Sequence, residues 1–241
     1  MLNALTKTLF RRAGLDIRKR SSIPFGVDPY ADIAALGSDI RIAFDVGANE
    51  GQTARKMLKA FPEAQIYSFE PVPSTFARLQ ASISDSNRFR AFNCAFGASS
   101  GTAEMTDGPV SGQNTMSLSA KPTANTVEVS INTVDKFAKA AQISNIDVLK
   151  IDTEGFEIPV LQGAEELLKR NAIRFVLAEC EFEKNRDQPH GHFFDICDIL
   201  TPLGYKIASL YTGGVNGSGW VWGDVLFMLP KNGPVRCSPH R

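Results

Sequence analysis

The sequence predicts an α/β fold, doubly wound around a mostly parallel seven-stranded sheet that ends in an antiparallel edge hairpin. Three observations carry this expectation. Short apolar runs alternate with longer stretches of helical periodicity, and glycines sit between the first run and the first helix. The last two runs have no helical pattern between them, only a Gly-rich stretch over residues 213–223, read as a loop. With 241 residues, 43% hydrophobic and 22% charged, the chain has ordinary globular composition and enough length for one main core.

Residues 1–39 read as an N-terminal helical extension, interrupted by Gly14, Pro24, Gly26, Pro29 and Gly37. Leu2, Leu5, Leu9 and Phe10 line one face of its first helix, and Lys7, Arg11, Arg12, Arg18, Lys19 and Arg20 make the segment basic. Such a helix either docks on the domain with a solvated basic face, or meets a membrane surface or an anionic substrate carrier; mitochondrial targeting is a further option. The main domain is expected over residues 40–230. It opens with the buried strand Ile40-Arg41-Ile42-Ala43-Phe44-Asp45-Val46. A helix follows over residues 52–61, with Ala54, Met57, Leu58 and Phe61 on one side and Pro62 as its stop. Ile66-Tyr67-Ser68-Phe69 is the second strand, and Ser74 is placed to cap a helix carrying Phe76, Leu79 and Ile83.

Residues 89–96 read as one third strand, and residues 97–125 as loops or short hairpin strands. Val127-Glu128-Val129-Ser130-Ile131 alternates like a half-exposed strand, and Thr133 can cap a helix through Ala141. Val148-Leu149-Lys150-Ile151 is another buried strand, followed by one helix over residues 160–170. Phe175-Val176-Leu177-Ala178 is a strand, residues 193–200 a helix, and residues 205–210 and 225–229 the closing strands. Residues 231–241 read as a disordered tail.

Composition removes several function classes. Basic and acidic residues balance at 26 each, without the basic excess of a nucleic-acid binder. No apolar run approaches the roughly 20 residues that span a bilayer, and no secretory apolar region is evident, so a cytoplasmic location is expected. Cys94, Cys180, Cys197 and Cys237 are widely spaced and form no C-x-x-C pair, which argues against zinc and disulfides and for reduced structural thiols.

The chemistry concentrates at Asp45-Val46-Gly47-Ala48-Asn49-Glu50-Gly51, between the first strand and helix. Glycines there allow a tight turn and close approach of a ligand, and the helix start presents unpaired N–H groups. Glu70 ends the next strand, where its carboxylate can accept hydrogen bonds from both hydroxyls of a ribose, about 1.5–3 kcal/mol each when buried. Nicotinamide dinucleotides and S-adenosylmethionine both fit that layout. Asn49 stands where a dinucleotide enzyme needs glycine against its pyrophosphate. Asp45 and Glu50 further disfavour a diphosphate and suit the ammonium of S-adenosylmethionine. An NAD(P)-linked oxidoreductase is the alternative enzyme, and a catalytically silent binding module the non-enzymatic one. Asp45, Asn49, Glu70 and Asp152 are all present, which weighs against the silent module.

The chain resembles the FkbM family of methyltransferases. The resemblance rests on Phe44-Asp45-Val46-Gly47-Ala48-Asn49-Glu50-Gly51-Gln52, Phe69-Glu70-Pro71 and Asn93-Cys94-Ala95-Phe96-Gly97. It continues through Leu149-Lys150-Ile151-Asp152-Thr153-Glu154-Gly155-Phe156-Glu157 and Val160-Leu161-Gln162-Gly163-Ala164. It implies the class I methyltransferase fold, S-adenosylmethionine as cofactor, and O-methylation of a sugar or secondary-metabolite hydroxyl. It also implies that Asp45, Gly47, Ala48, Asn49, Gly51 and Glu70 form the cofactor site, with Asn93 and Ala95 near the adenine.

Removing the proton of an acceptor hydroxyl calls for a base or a metal. Asp152, at the end of a buried strand, is the first candidate, and Glu154 the second, unless Glu154 caps the next helix. Glu179 ends the neighbouring strand, so the three carboxylates could hold Mg²⁺, though one base with two positioning groups is preferred and no metal ligand is assigned. His190 and His192, on one loop before a helix, are further candidate bases, unless they are simply capped or solvated there. The polar loop over residues 107–119 suits a lid or an acceptor contact, and Trp220 or Trp222 could stack on a sugar or simply pack.

Overall fold

Alternating apolar runs and amphipathic stretches become the following elements. They are α1 (Pro29–Leu36), β1 (Ile42–Val46), α2 (Gln52–Ala60), β2 (Gln65–Phe69), α3 (Pro73–Ser82), β3 (Phe89–Phe92), β4 (Ala95–Phe96), β5 (Gly101–Thr106) and β6 (Thr126–Asn132). Then come α4 (Val134–Ala140), β7 (Ile146–Ile151), α5 (Glu157–Gln162), α6 (Glu165–Lys169), β8 (Ile173–Glu181), α7 (Phe193–Leu200), β9 (Lys206–Asn216) and β10 (Gly219–Met228). The computed structural model describes residues 12, 24–37, 39–84, 86–107, 126–183, 191–217 and 219–230. Most of the expected N-terminal extension and all of the expected tail lie outside the described residues.

Seven strands form the central sheet in the order β3-β2-β1-β7-β8-β10-β9. The pairs β3–β2, β2–β1, β1–β7 and β7–β8 are parallel, and β10 runs antiparallel to both β8 and β9. Strand order reverses between β1 and β7, the place where ligands bind in open α/β sheets. Both faces are covered, which explains why these strands read as continuous apolar runs. One face packs Phe44, Phe69, Leu149 and Val176 against α4 to α7. Phe137 of α4 stands edge-on to Phe69 and Phe92, with centroids 4.7 and 4.8 Å apart. The other face packs Ala43, Ile66, Val148 and Leu177 against α1 and α2.

Four local expectations change, each for a visible reason. The run over residues 89–96 is two strands, because the Asn93 amide donates to the carbonyls of Glu70 and Pro71 at 2.9 and 2.8 Å and turns the chain. β4 therefore joins a separate three-stranded sheet, β4-β6-β5. The helix over residues 160–170 is also two. A Cβ on Gly163 would overlap the Gly97 carbonyl, and the Asp135 carboxylate accepts from Glu166 and Leu167 N–H at 2.9 and 3.0 Å, starting α6 afresh. Ser74 does not cap α3; Val72 holds that position, Pro73 follows it, and the Ser74 hydroxyl donates to Asp107 at 2.6 Å. Finally, residues 213–223 are mostly strand rather than loop. Gly213 and Gly214 lie so close to the Trp222 indole that a side chain on either would overlap it. Thr133 caps α4 by accepting from Lys136 N–H at 3.1 Å, as its position predicts.

Candidate active site

At the carboxyl ends of β1, β2 and β7 the chain encloses a cavity of about 260 Å³, walled by residues 46–49, 69–71, 94–96 and 152–154 among others. The turn after β1 passes through the left-handed region at Gly47 (φ 81°), Asn49 (φ 48°) and Gly51 (φ 87°). Asparagine tolerates that region better than most side chains, which is why it can stand between the glycines. Gly47 is required by its neighbour, since a Cβ there would overlap the Asp152 carbonyl. The N–H groups of Gly47 and Ala48 both donate to the Phe69 carbonyl, at 3.1 and 3.0 Å.

Glu70 holds this turn in place. Its Oε2 accepts from Asn49 N–H at 3.0 Å and its Oε1 from Val72 N–H at 3.1 Å, and the residue is buried. Burial raises its pKa against the pull of those two bonds and of Arg78. Each oxygen keeps a further lone pair for a ligand in the cavity. The Asn49 Oδ1 is buried yet has no hydrogen-bond partner among the described residues. Such an orphaned acceptor beside an open cavity suits a ligand donor.

Of the other expected cofactor residues, Ala48 and Ala95 line the cavity, whereas Asp45, Gly51 and Asn93 do not. Gly51 starts α2, and a side chain there would meet Leu79 and Ser82 at 2.9 Å. Asn93 buttresses the chain behind Glu70 and Pro71. Asp45 is buried, with the Ser68 hydroxyl at 3.2 Å. Burial pushes its pKa up to about 7 against the pull of Lys150.

A second turn follows β7, with Glu154 at φ 51° and Gly155 at φ 111°. Glu154 does not cap α5; it lines the cavity, and Glu157 organises the turn instead. The buried Glu157 Oε1 accepts from Thr153 N–H, Thr153 Oγ1 and Gly155 N–H at 2.9, 2.9 and 3.2 Å, and its Oε2 from Gly191 N–H at 3.0 Å.

Beneath Asp152 lies a charge cluster. The Lys150 ammonium, only 3% exposed, is 3.1 Å from Asp152 Oδ2 and 3.1 Å from Asp224 Oδ1. Burial pulls the Lys150 pKa down, but Asp152 and Asp224 outweigh it and hold the group well above its ordinary value. Burial, then the Asp152 carboxylate, raises the Glu179 pKa against the pull of Lys150. A second cavity, of about 610 Å³, opens on the α1 and α2 side; Thr53 and Asp152 belong to the walls of both cavities.

His190 and all but Asp107 of the loop over residues 107–119 lie outside the described residues. His192 is buried and caps α7, its Nδ1 accepting from Phe194 N–H at 3.4 Å. Neither Trp220 nor Trp222 lines either of these two cavities; Trp220 packs against Phe182 and Trp222 across Gly213 and Gly214. Burial raises the Cys94 thiol to about 11, as suits an unreactive structural cysteine. Among the described residues, no group of three or more His, Cys, Asp or Glu is arranged to hold a metal ion, and no helix is long and apolar enough to cross a membrane. Lys150, Asp224 and Glu157 carry much of the site, yet residue pattern assigned them no role. One signal was present: a lysine inside the apolar run of β7 is buried only when paired.

Sheet order, switch point and cavity define the class I methyltransferase fold. A rRNA methylase described as putative, from Clostridium thermocellum, shares it, with TM-score 0.50 at 6% identity over 88% of this chain and 100% of that one. The chain belongs to the FkbM methyltransferase-domain family, whose profile matches residues 45–207. Among curated relatives, 2-O-methyltransferase NoeI of Sinorhizobium fredii is 28% identical over 153 residues, 57% of this chain and 62% of that protein. Hexuronic acid methyltransferase AglP of Haloferax volcanii is 27% identical over 140 residues, 57% of this chain and 55% of that protein. The matches thus span less than two thirds of either relative.

Proposed function

We infer that the chain is an S-adenosylmethionine-dependent O-methyltransferase acting on a hydroxyl of a sugar or a related polyhydroxylated acceptor. The residues fit the cofactor: Glu70 retains lone pairs for ribose hydroxyls, and the orphaned Asn49 Oδ1 offers an acceptor to a donor of the ligand. When bound, S-adenosylmethionine supplies a methyl group made electrophilic by its sulfonium. The protein's part is to align an acceptor oxygen with that group, worth about 7–11 kcal/mol, and to take the hydroxyl proton.

One observation carries the assignment of the base. Asp152 stands on the wall shared by both cavities, whereas Glu154 lines the first alone. A donor in one cavity and an acceptor in the other meet at Asp152, whose carboxylate Lys150 anchors at 3.1 Å. The sugar character of the acceptor rests on the two relatives, named for 2-O-methylation and for hexuronic acid. Transfer of labelled methyl from S-adenosylmethionine to a panel of glycosides tests the reading. Asp152→Asn is expected to leave S-adenosylhomocysteine binding within about twofold and to lower turnover roughly 10²–10⁴-fold. Near-normal turnover would move the base role to Glu154.

A further inference from the structure

The second cavity is walled by groups of opposite charge that are unequally compensated. Lys150, Asp152 and Asp224 contribute ion pairs at 3.1 Å on either side of one buried ammonium. Asp28, also on the wall, accepts from Tyr30 and Ala31 N–H at 2.9 and 3.2 Å and is committed to starting α1. Lys56 and Lys59 differ. They lie one turn apart on α2, both exposed and both on this wall, and neither has an ion pair or hydrogen bond with another described residue. Arg55 beside them is already committed, donating to the Glu50 carbonyl at 3.2 Å. The cavity therefore sets three carboxylates and one buried ammonium on part of its wall, and a pair of free ammonium groups on the α2 part. Because Asp152 and the two lysines wall one cavity, a single ligand can present a hydroxyl to the first and an anion to the second.

We propose that this cavity is the acceptor site, and that Lys56 and Lys59 select acceptors bearing an anionic group, carboxylate or phosphate, besides the hydroxyl to be methylated. The proposal rests on the reading of the first cavity as the S-adenosylmethionine site. Exposed ammonium groups act as screened point charges, so the selection is modest and depends on salt.

The test is calorimetric titration of the full chain, saturated with S-adenosylhomocysteine, with three probes that share one ring. They are methyl β-D-glucopyranoside, its 6-phosphate, and methyl β-D-glucuronopyranoside. At low ionic strength at least one anionic probe is expected to bind roughly tenfold more tightly than the neutral one, as two exposed charge pairs allow. Which anion binds better tells carboxylate from phosphate, and high salt shrinks the advantage. Lys56→Ala/Lys59→Ala is expected to erase it without changing S-adenosylhomocysteine affinity, whereas Lys139→Ala, on α4, leaves it intact. Equal behaviour of the three probes, absence of binding included, overturns the proposal, and so does an advantage that survives the double substitution. Failure of S-adenosylhomocysteine to bind overturns the cofactor reading instead.

Discussion

The turn after β1 and the turn after β7 stand side by side at the carboxyl edge of the sheet, joined by the Asp152 N–H to Val46 carbonyl bond at 3.0 Å. Both route the chain through the left-handed region at one non-glycine residue, Asn49 or Glu154, and at glycines beside it. Each is pinned by a buried glutamate accepting backbone N–H bonds. The two carboxylates are spent differently. Glu157 takes four protein donors, all from residues 153, 155 and 191. Glu70 takes two and sits on the wall of the cavity. The same chemical device serves in one turn to build the site and in the other to build it while keeping acceptor capacity for a ligand.

Substituting the two glutamates should therefore separate binding from stability. Glu70→Ala is expected to weaken S-adenosylhomocysteine binding roughly 10²–10³-fold, the loss of two charge-assisted bonds, with a smaller drop in melting temperature. Glu157→Ala leaves more buried donors unpaired and is expected to cost about 2–4 kcal/mol of stability, read by chemical denaturation, with less than tenfold loss of binding in the folded fraction. Reversed outcomes would break the distinction between the turns.

A pH series addresses the carboxylate beneath the first turn. Asp45 has its folded pKa raised from 3.8 to about 7 by burial, so its favourable contribution is full below the unfolded value. It is lost as pH rises through about 7. Asp45→Asn cannot ionise, so the variant should gain in melting temperature relative to the parent between pH 5 and pH 8. A difference independent of pH would contradict the burial argument. The smallest expected effect concerns backbone strain: Glu154→Gly relieves a left-handed φ of 51° and is expected to change stability by no more than about 1 kcal/mol. A larger loss would show that the Glu154 side chain holds its turn as Glu157 does.

What could be read from the residues alone was local. The β1 turn was legible because left-handed positions demand glycine or asparagine, and Glu70 because a βαβ unit fixes its distance from Gly47. Parallel winding followed from alternating apolar runs. Features that depend on contacts between distant segments were not legible. Asp224 meets Lys150 across 74 positions of sequence, and Glu157 reaches Gly191 across 34. The break in the helix after β7 depends on the Gly97 carbonyl pressing on Gly163, and the end of β3 on what the Asn93 amide finds behind Glu70. The Gly-rich closing stretch misled for the same reason: its glycines make room for Trp222 in a strand rather than for a loop.

The β1 turn and Glu70 are proposed to form a site for S-adenosylmethionine rather than for a dinucleotide. Isothermal titration of the full chain with S-adenosylmethionine and, separately, with NAD and NADP tests it most directly. Saturable one-to-one binding of S-adenosylmethionine, weakened by Glu70→Ala, is expected, with no measurable heat from either dinucleotide. Tight binding of NAD or NADP with no response to S-adenosylmethionine would contradict it.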